Sequence, residues 1–353
     1  MYIIFGILVF GLLLVIHEGG HFLAAKACGI QVNEFSIGIG PLIYQYQGRE
    51  TKFSLRPIPL MAYCALEGEG EEDRSNPRAF LSAAPWKRFL VLAAGPVFNF
   101  IAGLLVVVLM YAGVSVYATP TITGFAEGCP AQGETMLMEG DTILSINGRA
   151  ILVYNEIPTL LSLDTDGRVD LTVRRNGEHV ALTDVPLALR EYEIDGKKSL
   201  RYGLDFALEQ VGVLGRLRYG FFYTVDFGRM TLWGLEMLFT GQAGVKDMQG
   251  PVGLVSTMND VGKQAPNVLD GLLNVLYLGA FISVNLCLMN LLPFPGLDGG
   301  QIVLLVLNTL GQKLFGRSLP PRAVQVFNFT GLVLLLGLAV FVAFQDVFRL
   351  IQR

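Results

Sequence analysis

The chain has 353 residues, 52% of them hydrophobic and 16% charged, against roughly a quarter charged in soluble globular proteins; an ordinary soluble domain is excluded. Its 26 basic and 30 acidic side chains leave a net charge of −4, which excludes a nucleic-acid partner bound through a basic surface. Cys28, Cys64, Cys129 and Cys287 show no paired spacing, so neither a disulfide framework nor a Cys-based metal site is expected.

Residues 1–28 are expected to form a first transmembrane helix. MYIIFGILVFGLLLVI (1–16) carries no charge, no basic start and no small-residue cleavage site, so it reads as a retained span rather than a removed signal. Three further uncharged runs, Phe89–Ala118, Gly271–Leu297 and Ala323–Gln345, each exceed the roughly 20 residues that cross a bilayer core of about 30 Å. The predicted class is a polytopic α-helical membrane protein with four transmembrane helices. Within the first, LLVIHEGGHFLA (13–24) sets two histidines and a glutamate in an apolar run. Positions i and i+4 share a helix face, so His17 and His21 can reach one ion. Glu18 points about 100° away, near enough to a water at that ion to act as a base without being a ligand. This is the H-E-x-x-H spacing of zinc metalloproteases. Two histidines satisfied in a packed core are the alternative. It is disfavoured because the chain holds three histidines and two fall here, and ionisable groups inside a span are functional by default.

Residues 29–88 are expected to be a cytoplasmic β-hairpin region and an acidic loop. FSIGIGPLIYQY, QGRE and TKFSLRPIPLMAYC read as strand runs about a Gly-containing turn. Pro57 and Pro59 confine the last run to a sheet edge. Such a sheet either connects two spans or offers an open edge to an extended peptide. EGEGEEDRSNP (67–77) reads as the solvated loop. Residues 89–118 are the second span, in which Gly95-Pro96 reads as a packing feature and Asn99 as a hydrogen-bonding bridge between helices.

Residues 119–206 are expected to form an extracytoplasmic, β-rich module. EGCPAQGETMLMEGDTILSINGRAI supplies a Gly-x-Pro-Ala turn, a helix-like stretch, Gly-Asp and a strand ending at Asn-Gly. VDLTVRRNGEHVAL follows as a hairpin about Asn176-Gly177. The pattern resembles a PDZ domain, a fold that can receive a peptide C-terminus; a steric plug or spacer is the other reading. His179, the remaining histidine, reads as a surface residue of this hairpin. Residues 207–270 read as amphipathic interfacial helices. Over 213–240, Arg218, Asp226, Arg229 and Glu236 fall in one stripe about 80° wide, which suits a helix along the outer interface better than a fifth span.

Residues 271–312 are the third span, and NLCLMNLLPFPGLDGGQIVLLVL (285–307) sets Asp298 between apolar sequences. Pro293 and Pro295 would break the helix there. A catalytic zinc wants three protein ligands and an open position, and Asp298 is the candidate third ligand beside His17 and His21; a helix cap is the alternative. Asn285 and Asn290 read equally as helix-bridging groups or as groups that hold a substrate. A loop over 313–322 and a fourth span over 323–353 follow. Basic residues between Lys26 and Arg88, and at Lys313, Arg317 and Arg322, put both connections in the cytoplasm, and hence both termini and the 119–206 module outside. His17, His21 and Asp298 then lie toward the inner ends of their spans, where they can meet.

HEGGH in the first span, AGPVFN in the second, the PDZ-like module and NLLPFPGLDGG in the third together resemble the site-2 protease family of intramembrane zinc metalloproteases. The likeness is to the bacterial regulator-of-sigma-E type and covers nearly the whole chain. The resemblance implies cleavage, within the lipid bilayer of a bacterial plasma membrane, of single-span proteins such as anti-sigma factors or remnant signal peptides. By motif position it implies Zn²⁺ held by His17, His21 and Asp298, Glu18 as catalytic base, and Asn285 and Asn290 touching the substrate backbone. It further implies that strands around 52–63 clamp an unwound substrate, and that the PDZ-like module filters substrates by size. Two other functions fit parts of the sequence. A membrane metal-ion transporter or sensor also uses His and Asp at membrane depth, although one cluster offers no chain of sites across the bilayer. A non-catalytic adaptor would rest on the PDZ-like module alone.

Overall fold

The computed structural model describes all residues except 70–75, 165, 195–196, 243, 245–248 and 353. The middle of the acidic loop expected over 67–77 lies outside the described residues. The chain divides into two compact units, Met1–Val107 with Phe227–Arg353, and Val108–Asp226.

The first unit opens with α1 (Tyr2–Ala27), followed by β1 (Val32–Ile39), β2 (Tyr44–Gln47), β3 (Lys52–Leu55) and β4 (Ile58–Leu66). The strands form a sheet in the order β2-β3-β1-β4. β2 and β3 pair as an antiparallel hairpin, β3 runs parallel to β1, and β4 runs antiparallel to β1. β4 is thus an edge strand and carries Pro59, which has no N–H to give a further neighbour. It lies hard against α1: a Cβ added at Gly11 would sit 2.3 Å from the Pro59 carbonyl oxygen. α2 (Pro85–Tyr111) begins nearer the N-terminus than the expected 89–118, because a proline is tolerated in a first turn, where its missing N–H would have no partner anyway. Ala25, Ile30, Val32, Phe80, Val91 and Leu305 form one buried apolar cluster around this end of the unit.

The second unit contains β5 (Val116–Phe125), β6 (Thr142–Ile146), β7 (Arg149–Ala150), α3 (Glu156–Ser162), β8 (Arg168–Arg175), β9 (Glu178–Pro186), β10 (Arg190–Ile194), β11 (Lys197–Arg201) and β12 (Leu204–Gln210). Its main sheet has the order β12-β5-β6-β8-β9, with β7 on β6 and β10-β11 as a separate hairpin. Asn147-Gly148 after β6 and Asn176-Gly177 between β8 and β9 take positive φ at both residues, 48° and 76°, and 51° and 88°, the backbone that two-residue hairpin turns require. Ile122, Leu137, Ile143, Ile157, Val169 and Val173 fill the core. The fully buried Asp141 accepts two hydrogen bonds of 2.8 Å from Arg175 and one of 2.9 Å from the Met138 N–H, so its charge is paired where an unpaired one would be costly. Tyr219 stacks on Tyr117 and Tyr223 on Tyr111, with ring centroids 4.4 and 4.7 Å apart.

α4 (Val213–Phe239) is a single helix whose first part belongs to the second unit and whose last part belongs to the first. Its expected charged stripe is not uniformly wet. Asp226 is buried, and the Arg218 and Arg229 guanidiniums lie over Phe222 and Trp233 at 5.6 and 5.0 Å, where the ring faces attract them.

The first unit resumes with α5 (Pro251–Gln264), α6 (Val268–Leu291), α7 (Asp298–Phe315) and α8 (Pro321–Gln352). The Asn267 side chain caps α6 by accepting the Asp270 N–H at 2.9 Å. Residues 271–312 are not one helix: α6 stops at Leu291, Pro293 and Pro295 cannot continue its ladder, and α7 starts at Asp298. The start of α5 is capped from α8, where the buried Asp346 carboxylate accepts N–H groups of Gly250 at 3.2 Å and Gly253 at 2.8 Å. Val9, Phe10 and Leu13 of α1 bury against Met258 of α5 and Val275 and Ile282 of α6. α1, α2, α6 and residues 321–349 of α8 are each long and apolar enough to cross a membrane. These helices and the sheets are compatible with a membrane protein bearing β-structured parts.

Candidate metal centre

α1 is helical through His17, Glu18 and His21, so the imidazoles stand one turn apart, ring centroids 4.9 Å apart and nearly perpendicular at 85°. α7 brings in Asp298 as its first residue. His17 Nε2 lies 3.3 Å from His21 Nε2, and Asp298 Oδ2 lies 3.2 Å from the first and 3.5 Å from the second. Among the described residues, these three offer ligand atoms gathered within 4.8 Å of one another. Tetrahedral zinc with nitrogen and oxygen ligands at about 2.0–2.1 Å sets any two of them about 3.3 Å apart. The triangle has that size. Asp298 Oδ2 is moreover buried without a hydrogen bond of regular geometry, a state a carboxylate oxygen avoids unless it faces a cation. The side chains are only 12, 11 and 19% exposed. The residues present therefore fit a zinc ion with one open position.

Groups behind the trio orient it. His21 Nδ1 meets the Val91 carbonyl at 2.7 Å, and His17 Nδ1 meets the Asn99 side-chain amide at 3.3 Å. Both contacts come from α2, which passes so near that a Cβ at Gly95 would lie 2.3 Å from His21 Nε2 and 2.9 Å from His17 Cε1. The Glu18 carboxylate faces the backbone of Cys64 on β4. The Cys64 thiol is pushed up to about 12 by burial first and then by the charges of Glu18 and Glu69. Its sulfur is not among the ligand atoms that, among the described residues, gather at the trio.

Asn285 and Asn290 stand on α6. Asn285 is already engaged: its carbonyl oxygen accepts the Thr231 hydroxyl of α4 at 2.5 Å, and its amide donates to the Phe281 carbonyl at 3.1 Å. Asn290 is half-buried near the end of α6. The Asn99 side chain bridges helices as the sequence suggests, and its partner is His17 of α1; Gly95 is the packing position expected of Gly95-Pro96, and what it leaves room for is the imidazole pair. The signal was the Gly95–Asn99 spacing of one helical turn, which puts both on one face of an apolar helix. It did not say which helix that face meets.

The sequence matches the model of peptidase family M50 over residues 5–338. A Clostridium perfringens protein named as a zinc metalloprotease is 32% identical over 98% of this chain and 98% of its own. One from Clostridium acetobutylicum with the same naming is 33% identical over 98% of this chain and 97% of its own. The regulator of sigma-W protease of Bacillus subtilis is 27% identical over 98% and 97% of the two chains.

Proposed function

Since this chain belongs to peptidase family M50, the site-2 protease family, and is a zinc metalloprotease, we propose that it cuts single-span membrane proteins inside their transmembrane segments. In this reading His17, His21 and Asp298 hold the zinc, and Glu18 moves the proton. The observation that carries the reading is the triangle of Nε2, Nε2 and Oδ2 atoms with edges of 3.2, 3.3 and 3.5 Å.

Zinc, when bound, supplies Lewis acidity that makes water a nucleophile near about pH 7 and polarises the scissile carbonyl. Glu18 takes the proton from the attacking water and delivers it to the departing amine. A substrate helix hides its peptide bonds in its own hydrogen bonds and must unwind to be cut. β4 is paired on one side only, and its free edge can replace part of the lost ladder by strand addition. The backbone contact between Cys64 and Glu18 supports placing that edge beside the chemistry. Asn285 and Asn290 hold the substrate backbone; the Asn285 carbonyl oxygen already accepts the Thr231 hydroxyl with one of its two lone pairs. The 119–206 module, PDZ-like and outside the membrane together with both termini, admits substrates already trimmed there. The substrate class includes anti-sigma factors, a suggestion supported by the name of the Bacillus subtilis relative.

The test is cleavage of a purified single-span protein by the purified full chain. Chelation should abolish cleavage and added zinc restore it. Glu18→Gln should keep its zinc and lose about 10²–10⁴-fold in rate. Undiminished cleavage by that variant removes Glu18 from the mechanism, and cleavage in excess chelator removes the metal.

A further inference from the structure

We infer that Asn99 is a positioning residue for the metal centre: its side-chain oxygen accepts the His17 Nδ1–H and so keeps the Nε2 lone pair of that ring aimed at the metal. The inference rests on the reading that His17 is a zinc ligand.

Each imidazole presents Nε2 to the triangle. A neutral imidazole that binds metal through one nitrogen carries its proton on the other, and that N–H needs an acceptor; such acceptors fix ring orientation and tautomer. His21 has one in the Val91 carbonyl, 2.7 Å from Nδ1. A backbone carbonyl can only accept, so the His21 tautomer is set. His17 faces instead the Asn99 side chain, whose Nδ2 stands 3.3 Å from Nδ1 while Oδ1 is buried without a partner. With the His17 proton on Nδ1, as metal binding through Nε2 requires, that orientation sets two N–H donors against each other. A half-turn about Cβ–Cγ brings Oδ1 opposite Nδ1 with almost no displacement of other atoms. Asn99 is completely buried, so water cannot stand in as acceptor without entering the core. Its backbone is held separately, since the Asn99 carbonyl accepts the Ser283 hydroxyl at 2.7 Å. The link between α2 and α6 thus stays in place when the side chain is changed.

The two amide orientations make opposite demands on a substitution. If Asn99 accepts from His17, then Asn99→Asp keeps the acceptor and Asn99→Leu, with the same branching at Cγ but bulkier methyl ends, removes it. If Asn99 donates, or merely fills space, Asp should be no better than Leu. Zinc affinity of the full chain in detergent, read by competition with a chromophoric chelator, is the measurement, with the Tm of the metal-free protein as control. Asn99→Leu is expected to bind zinc about 10–100-fold more weakly, the usual cost of losing such a support, with the metal-free Tm held. Asn99→Asp should stay within about threefold of the unaltered chain. Unchanged affinity in Asn99→Leu overturns the inference, as does a loss in Asn99→Asp equal to that in Asn99→Leu. Should the Leu variant fail to fold, Asp decides alone: retained affinity upholds the acceptor and a tenfold loss overturns it. His17→Ala separates this inference from its premise, because zinc binding undiminished in that variant would remove His17 from the ligand set altogether.

Discussion

At the scale of single residues, α2 comes as near to the trio as it does because one of its positions carries no side chain. Gly95 leaves the space in which the imidazole edges sit, and a methyl group there would lie 2.3 Å from His21 Nε2. Gly95→Ala is therefore expected to push the rings off the Asp298 oxygen and lower zinc affinity at least about tenfold, while a matched Gly113→Ala, where a Cβ meets nothing within 4 Å, should leave it unchanged. Metal content after dialysis against a weak chelator checks both. Cys64→Ser is expected to leave zinc content and cleavage within about twofold, because Cys64 meets Glu18 through its backbone and its sulfur is not one of the ligand atoms gathered at the trio. His17, Glu18 and His21 were legible in the sequence because helical periodicity alone sets their mutual geometry. Asp298 was legible as a polar residue stranded in apolar sequence. Asn99 and Gly95 were legible as a bridging and a packing residue, but not their partners, since these depend on which face of α2 meets α1 and a uniformly apolar helix does not advertise a face.

At the scale of elements, α4 and α6 are joined by the Thr231–Asn285 hydrogen bond and by Phe227, which packs edge-on against Tyr277 and Phe281 at 5.2 and 5.3 Å. If Asn285 serves the substrate backbone, the Thr231 hydroxyl competes with the substrate for the same oxygen. Thr231→Val is then expected to lower KM with kcat unchanged, by about threefold for an interhelical hydrogen bond of about 0.6 kcal/mol, whereas Asn285→Ala should raise KM. Steady-state cleavage of one substrate by both variants decides, and parallel changes would reduce the pair to helix packing. Element chemistry was legible where it is local. The Asn-Gly turns need only φ > 0 at adjacent residues, and Pro293 and Pro295 lack the N–H groups a helix needs. The place of β3 between β2 and β1, parallel to the latter, was not legible, because it depends on partners distant in the chain. The buried Asp226 on α4 likewise broke the pattern of a solvated stripe, since a moment calculated around a helix does not know what packs against it.

At the scale of the whole molecule, the candidate metal centre lies in the compact unit Met1–Val107 with Phe227–Arg353, and the β-rich module forms most of the other, Val108–Asp226. Asp141→Ala would leave Arg175 beside a vacated pocket in the second unit and is expected to destabilise that unit by about 3 kcal/mol. Hydrogen exchange of the full chain should show faster exchange within 108–226 and an unaltered pattern around His17. If this unit screens substrates, the same variant should cut untrimmed proteins that the parent refuses, with zinc content preserved; equal refusal by both would leave the unit without a screening role. A last consequence follows from Asp346. α8 shows most of its surface outward, with only 11% of its apolar window buried, so polar contacts matter for its seat: Asn328 accepts from Gln301 at 2.7 Å on one side. The Asp346 carboxylate seated on the first amides of α5 acts as a second peg: slippage by a turn would strand it away from the Gly250 and Gly253 N–H groups, so the helix keeps its height and heading.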